Sequence, residues 1–391
     1  MMFFIMSSAP LPNASSSPVW TSANLEPLRS IGDPIADAVI AELFADGGVQ
    51  AMNTLMSGFV ANEHPVPDNL PTPVRNYLLQ AVELPTWADP TLIKAGEDLF
   101  FRFGPSIILV LTCYSLPFCY LGRNGVPVLA MTNRLQSNAT RRIVETAQMV
   151  VDCMSSGGLT TPGGRGRLTI QKVRLMHAAI RHLAPMAPAW KPEYGLPINQ
   201  EDLAGTLMSF SYITLDGLDK IGIALTDQDR QGYLHCWNVI GHMLGLQDKM
   251  LPANADQAKA LANAIAADQF GPTQDGKDLT NALVQMLAHI LPGDLFDKMP
   301  RVFLRFFLGA EWAGWLGIDE GNLAELAVQP IRFLGLEFGG DIEDSKTLGA
   351  MAVEIGKLLI GAITLAGRGG NRPSFSIPTE LREVWGVNWT S

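Results

Sequence analysis

The sequence predicts an all-α protein, organised as a single helical domain. From Ile31 onward, apolar residues recur at helical spacing and strand-like alternation is scarce. Polar and acidic capping signatures stand immediately before several of these apolar runs. The 391 residues could hold two or three average domains, but no internal repeat and no long linker divides them. With 47% apolar and only 17% charged residues, the chain has ample material for one large core.

Residues 1–30 are rich in Ser, Pro and Asn (Pro10, Pro12, Asn13, Ser15 to Ser17, Pro18) and are expected as a flexible arm, with 31–391 as the domain. Pro34–Phe44 reads as a helix, with Asp33 as N-cap and Pro34 at the first helical position. Gly48–Phe59 reads as a second, and Pro65 to Pro71 as a breaker. Thr91–Phe103 leads into Phe103–Gly122, nearly free of charge and about as long as a membrane span. Gly104, Pro105, Ser115 and Pro117 inside that stretch favour a buried core helix broken near Pro117 over a transmembrane helix. Asn138–Ser155 is a long amphipathic helix, Thr160 to Arg167 a loop, and Ile170–Leu183 a helix that stops before Pro185. Asn199-Gln-Glu-Asp202 caps a helix reaching about Leu215, with its acids in the first turn. Thr226-Asp-Gln-Asp229 repeats the signature ahead of the helix holding Tyr233, His235, Trp237 and His242. Further helices are expected at Asn254–Ala267, Leu279–Ile290, Val302–Leu316 and Lys346–Ala366, before an extended tail at Arg372 to Pro378.

Bulk properties exclude some functions. The net charge is −10 and the pI about 5.1, and no Lys/Arg run is long enough to track phosphates, so a nucleic-acid partner is not expected. Cys113, Cys119, Cys153 and Cys236 lack CxxC spacing, which argues against a disulfide framework or zinc knuckle and fits a reducing compartment. The apolar start, Met1 to Met6, is shorter than a secretory signal needs and carries no basic n-region, so the expected location is cytoplasmic.

Lys172-Val-Arg-Leu-Met-His177-Ala-Ala-Ile-Arg181 is the most informative stretch. At about 100° per residue, Arg174 lies about 60° and Arg181 about 40° from His177, so the three share one helix stripe. A neutral imidazole between two fixed cations suits a metal-bearing cofactor that carries carboxylates, of which haem is the common one. The same stripe equally fits a core histidine whose arginines pair with acids of another helix. Arg142, Glu145 and Thr146 share a face of the preceding helix, continued by apolar Met149, Val150 and Cys153, as a face entering a pocket would be. An Arg/Glu pair on a solvated face has the same spacing.

Other motifs carry less. Gly163-Gly-Arg-Gly-Arg167 lacks the preceding strand and following Lys-Ser of a phosphate loop, and reads as a tight connection whose arginines remain open to a cofactor carboxylate. His235 and His242 stand roughly 10 Å apart along a helix, and His177 and His182 about 140° apart around one, so neither pair chelates one metal. Asp341 to Asp344 reads as a solvated acidic turn, and Trp312 and Trp315 as core packing.

Taken together, Arg102-Phe-Gly with Ser115-Leu-Pro-Phe-Cys-Tyr120, Arg142-Ile-Val-Glu-Thr146, Pro162-Gly-Gly-Arg-Gly and Lys172 to Arg181 resemble, in order, the latex clearing protein family of haem b oxygenases, which includes the fungal mycophenolate-pathway oxygenase. Pro197 to Thr206 and Tyr233 to Gly241 are similar to the family's downstream helices, and the likeness runs from about residue 95 to 250. The resemblance implies an all-α fold with a globin-like haem-binding core and His177 as the axial ligand of haem iron. It also implies Arg174 and Arg181 in the haem-binding set, with Arg142 and Thr146 beside the pocket. Arg174 and Arg181 would then neutralise the propionates or brace the ligand helix.

Two departures stand out. The distal lysine of some rubber-cleaving members is Glu145 here, and the region that would hold their catalytic glutamate reads Gly125-Val-Pro-Val-Leu129. Either Glu145 takes over as a distal base, its pKa raised by an apolar pocket, or the chemistry differs. The expected function is O2-dependent cleavage of C=C bonds in a hydrophobic isoprenoid or unsaturated lipid. The alternatives are a haem monooxygenase or peroxidase-like enzyme on a smaller substrate, and a non-enzymatic haem or lipid carrier.

Overall fold

Proline, glycine and capping side chains decide where the helices of this chain start and stop. The computed structural model describes residues 20–58, 71–79, 83–132, 137–290, 299–318 and 345–366, and among them there is no strand, only an isolated antiparallel bridge between Gly122 and Phe270. Short helix α1 (Ser22–Leu25) and a 3-10 turn (Glu26–Ser30) occupy part of the expected flexible arm. Leu25, Leu28 and Arg29 are buried there, so from Trp20 the chain belongs to the fold. Local composition missed this because the partners that bury these residues lie far along the chain.

Helix α2 (Pro34–Gly58) runs through Gly47-Gly48 and joins the two expected helices into one. Asp33 caps it through a long contact, accepting from the Ala36 amide at 3.5 Å. The breaker at 65–70 lies outside the described residues, and α3 (Thr72–Leu79) follows Pro71.

The apolar stretch forms a nearly continuous rod: α4 (Pro90–Val110), a π-turn (Leu111–Ser115) and α5 (Leu116–Tyr120). Its two irregularities sit just ahead of prolines, which remove an amide donor and crowd the carbonyl one turn back. Phe103 bends out of helical geometry (φ −121°, ψ 17°) before Pro105, and the π-turn precedes Pro117. The break near Pro117 is thus a widening of the helix, and the chain continues. The rod is long and apolar enough to cross a membrane, yet most of it is buried inside the fold. It packs on α11 (Asp227–Met243) and on α15 (Ser345–Ala366). The first contact depends on two facing glycines: a Cβ on Gly96 would meet the Gly232 carbonyl oxygen at 2.7 Å and Cys236 Sγ at 2.5 Å.

Around this rod lie α6 (Val126–Thr132), α7 (Ser137–Met154), α8 (Arg165–Leu183), α9 (Gln200–Phe210) and α10 (Tyr212–Lys220). They are followed by α12 (Ala255–Gln269), α13 (Gln274–Ile290) and α14 (Met299–Trp315). The capping signatures act as the sequence implies. Asn199 accepts from the Asp202 amide, Thr226 and Asp229 form a reciprocal capping box, and Asn254 accepts from the Gln257 amide. The single helix expected from Asn199 to Leu215 is two, because Ser211 leaves helical geometry (φ −98°, ψ −82°). Trp312 packs against Phe118 and Phe270, as core packing requires. Asp341 to Asp344 and the tail from Arg372 lie outside the described residues.

Candidate active site

Helix α8 packs against α7 on one side and α2 on the other, and a third face borders a cavity of about 520 Å3. Residues from α5 to α9, α11 and α12 line it, among them Phe118, Leu129, Met149, Ile180, Phe210 and Trp237. That volume and apolar lining are those of a cofactor or small-molecule site.

His177 is on the wall, flanked by Val173, Met176 and Ile180 of the same helix. Its Nδ1 is buried and has no hydrogen-bond partner. Burial, helped by the nearby Arg181 charge and opposed by Asp33, holds the ring down to about 4, so it is neutral at physiological pH. A neutral imidazole on an apolar cavity wall is the donor that haem iron takes from a protein. Among the described residues no three His, Cys, Asp or Glu side chains gather to hold a bare metal ion. Haem asks for less, since its porphyrin supplies four of the iron ligands, so the residues present fit that group.

The flanking arginines lie on the helix stripe that the spacing indicates, but neither lines the cavity. Arg174 pairs with Asp33 through Nε at 2.5 Å and Nη2 at 2.8 Å. Arg181 donates from Nε to Asp37 at 2.7 Å and from Nη1 to the Ile198 carbonyl at 3.1 Å. Both acids come from the start of α2. Of the two roles open to the arginines, the ion pairs provide bracing of the histidine helix. The loop arginines are engaged locally: Arg165 lies 3.4 Å from Asp152, and Arg167 donates to the carbonyls of Leu159 and Thr160. Arg165 and Arg167 also open α8 five residues earlier than the expected Ile170.

The neighbouring helix α7 brings Glu145 and Thr146 to the wall of the same cavity. Arg142 shares that helix, and its side chain lies outside the described residues. Glu145 is exposed, which places it at the rim, so it is not the carboxylate enclosed by apolar walls that the sequence suggested.

The enclosed carboxylate is Glu201, in the first turn of α9, which the sequence presented only as part of a cap. Its side chain has 0% exposure and lines the cavity. Oε2 accepts from Arg29 Nη1 at 3.0 Å, and Oε1 is buried without a partner. Burial pushes its pKa up to about 7, against the pull of Arg29. One sequence signal could have found it: Glu201 shares a helix face with Ala204, Gly205 and Met208, where a carboxylate is out of place.

Three other histidines have separate contacts. His182 packs on Phe44, with ring centroids 4.5 Å apart. His235 Nε2 accepts from the Asp89 amide, and His242 Nδ1 lies 2.5 Å from Asp248.

The fold and site thus define a helical domain around an apolar cavity with a neutral histidine on its wall. Residues 118–334 match the family model described as "ER-bound oxygenase mpaB/B'/Rubber oxygenase, catalytic domain". The chain belongs to this oxygenase family. It is 29% identical over 325 residues to the rubber oxygenase of Streptomyces sp. (strain K30), spanning 81% of this chain and 76% of that protein. The fold is similar to that of latex clearing protein in its closed state. The TM-score is 0.70 and the identity 26%, covering 87% of this chain and 96% of that one.

Proposed function

We propose that this protein is a haem b-dependent oxygenase that uses O2 to cleave C=C bonds of a hydrophobic isoprenoid or unsaturated substrate to carbonyl products. The observation that carries the reading is His177: neutral, on the wall of a large apolar cavity, with a buried ring nitrogen left without a partner. Haem, when bound, supplies the iron centre at which O2 is activated. His177 would hold it, and the Arg174–Asp33 and Arg181–Asp37 pairs keep the histidine helix in register. The apolar wall residues bind the chain of the substrate and exclude water. Thr146 and Glu145 on α7, with Arg142 on the same helix, are the residues we assign to orienting O2 and substrate.

The test is turnover under 18O2 by haem-containing protein with an unsaturated isoprenoid, analysed by mass spectrometry. The expected result is two carbonyl fragments, one labelled oxygen in each. A single labelled oxygen in an uncleaved product would replace this reading with the monooxygenase alternative.

A further inference from the structure

Three side chains that line the cavity hold a buried polar atom without a partner, His177 Nδ1, Trp237 Nε1 and Glu201 Oε1, and only the last belongs to a carboxylate. Asp202 receives bonds from Arg29 and Asn199, and Thr206 donates to the Asp202 carbonyl. Gln269 is bonded to Asn124 and Asp268, and Cys119 to Ser209. Glu201 differs: Arg29 holds Oε2 while Oε1, with the side chain at 0% exposure, has no partner. Leaving a carboxylate oxygen unsatisfied in an apolar enclosure costs free energy, so such atoms in a binding cavity are matched by a ligand group. A carboxylate oxygen accepts and cannot donate, so the group it takes carries a proton on oxygen or nitrogen.

We propose that Glu201 Oε1 is the polar anchor of the substrate site, and that the substrate is a terpenoid alcohol, an apolar chain bearing one hydroxyl that donates to Oε1. A hydroxyl is favoured over an ammonium because the cavity lining is mostly apolar, where a full charge costs far more to desolvate than a neutral donor. The substrate class rests on the oxygenase reading; the anchor does not. Charged groups around Glu201 are Arg29 from the 3-10 turn, the adjacent Asp202 and Asp268 of α12. Measurement at pH 8.5 keeps the carboxylate ionised.

The test is binding, by calorimetry on haem-containing protein, of farnesol against its methyl ether, which keeps the oxygen but has no proton to donate. The wild type is expected to favour the alcohol by about tenfold or more. Glu201→Gln retains a carbonyl acceptor for Arg29 and can turn an amide donor toward the cavity, so the preference should level or invert toward the ether. The triple variant Arg29→Met, Glu201→Leu and Asp202→Asn removes Arg29 together with both of its carboxylate partners and is expected to bind both equally. Equal binding by the wild type, or an alcohol preference unchanged in both variants, overturns the anchor. Farnesol preference without any cleavage keeps the anchor and overturns the oxygenase reading. Cleavage of isoprenoids with no alcohol preference does the reverse.

Discussion

Arg174 grips both carboxylate oxygens of Asp33, at 2.5 and 2.8 Å, tying the helix of His177 to the start of α2 across 141 residues of sequence. Asp33 is almost fully buried, so removal of its partner strands a charge. Arg174→Ala is expected to destabilise the protein by about 3–5 kcal/mol and to lower haem content. Replacing both members, as Arg174→Met with Asp33→Leu, should cost less than Arg174→Ala alone. Urea unfolding of the three proteins checks this; a double variant less stable than the single would show that the pair does not act as described.

Packing between α4 and α11 makes a separate demand. A methyl group at Gly96 has no room against Gly232 and Cys236, whose nearest atoms would lie at 2.7 and 2.5 Å. Gly96→Ala should therefore destabilise by about 1–3 kcal/mol even though alanine is the better helix former. A thermal midpoint equal to the wild type would mean that the two helices separate without cost.

Two buried groups should oppose each other in the pH dependence of stability. Glu201 is raised from 4.5 to about 7, so the folded state holds its proton more tightly, and stability falls as pH rises across that window. His177 is lowered from 6.5 to about 4, so the unfolded state takes the proton first, and stability falls as pH drops across that window. Between about 4.5 and 6.5 the two slopes offset. In haem-free protein, Glu201→Gln should become more acid-sensitive than wild type, while His177→Gln should become less so. Identical urea-midpoint profiles for all three would show that neither group is buried as described.

Glu145 sits exposed at the cavity rim, where substitutions cost little stability. Glu145→Gln should keep stability within about 0.5 kcal/mol of wild type and reduce kcat for isoprenoid cleavage. Unchanged kcat would remove Glu145 from the reaction.

Much of this architecture can be read from local chemistry. Capping at Asn199, Thr226 and Asn254 is a matter of neighbouring residues, and the structure places helix starts there. His177, Arg174 and Arg181 share a stripe because helix geometry requires it. What surrounds them was not legible. Asp33 and Asp37 lie over 140 residues away, and nothing local distinguishes an arginine that meets a propionate from one that meets an aspartate. Arg29 and Glu201 were hidden for the same reason: each looked like an ordinary polar residue, one in a Ser/Pro-rich start and one in a helix cap. Their burial is created by contact across 172 residues.

The first measurement is the visible spectrum of the purified protein with a pyridine haemochrome assay, beside His177→Ala. A Soret band at one haem b per chain in the wild type, lost in a variant that still folds, is the expected result. Wild-type protein that stays colourless after haem is supplied, or a variant that keeps its full Soret band, would contradict the assignment of His177 as the iron ligand.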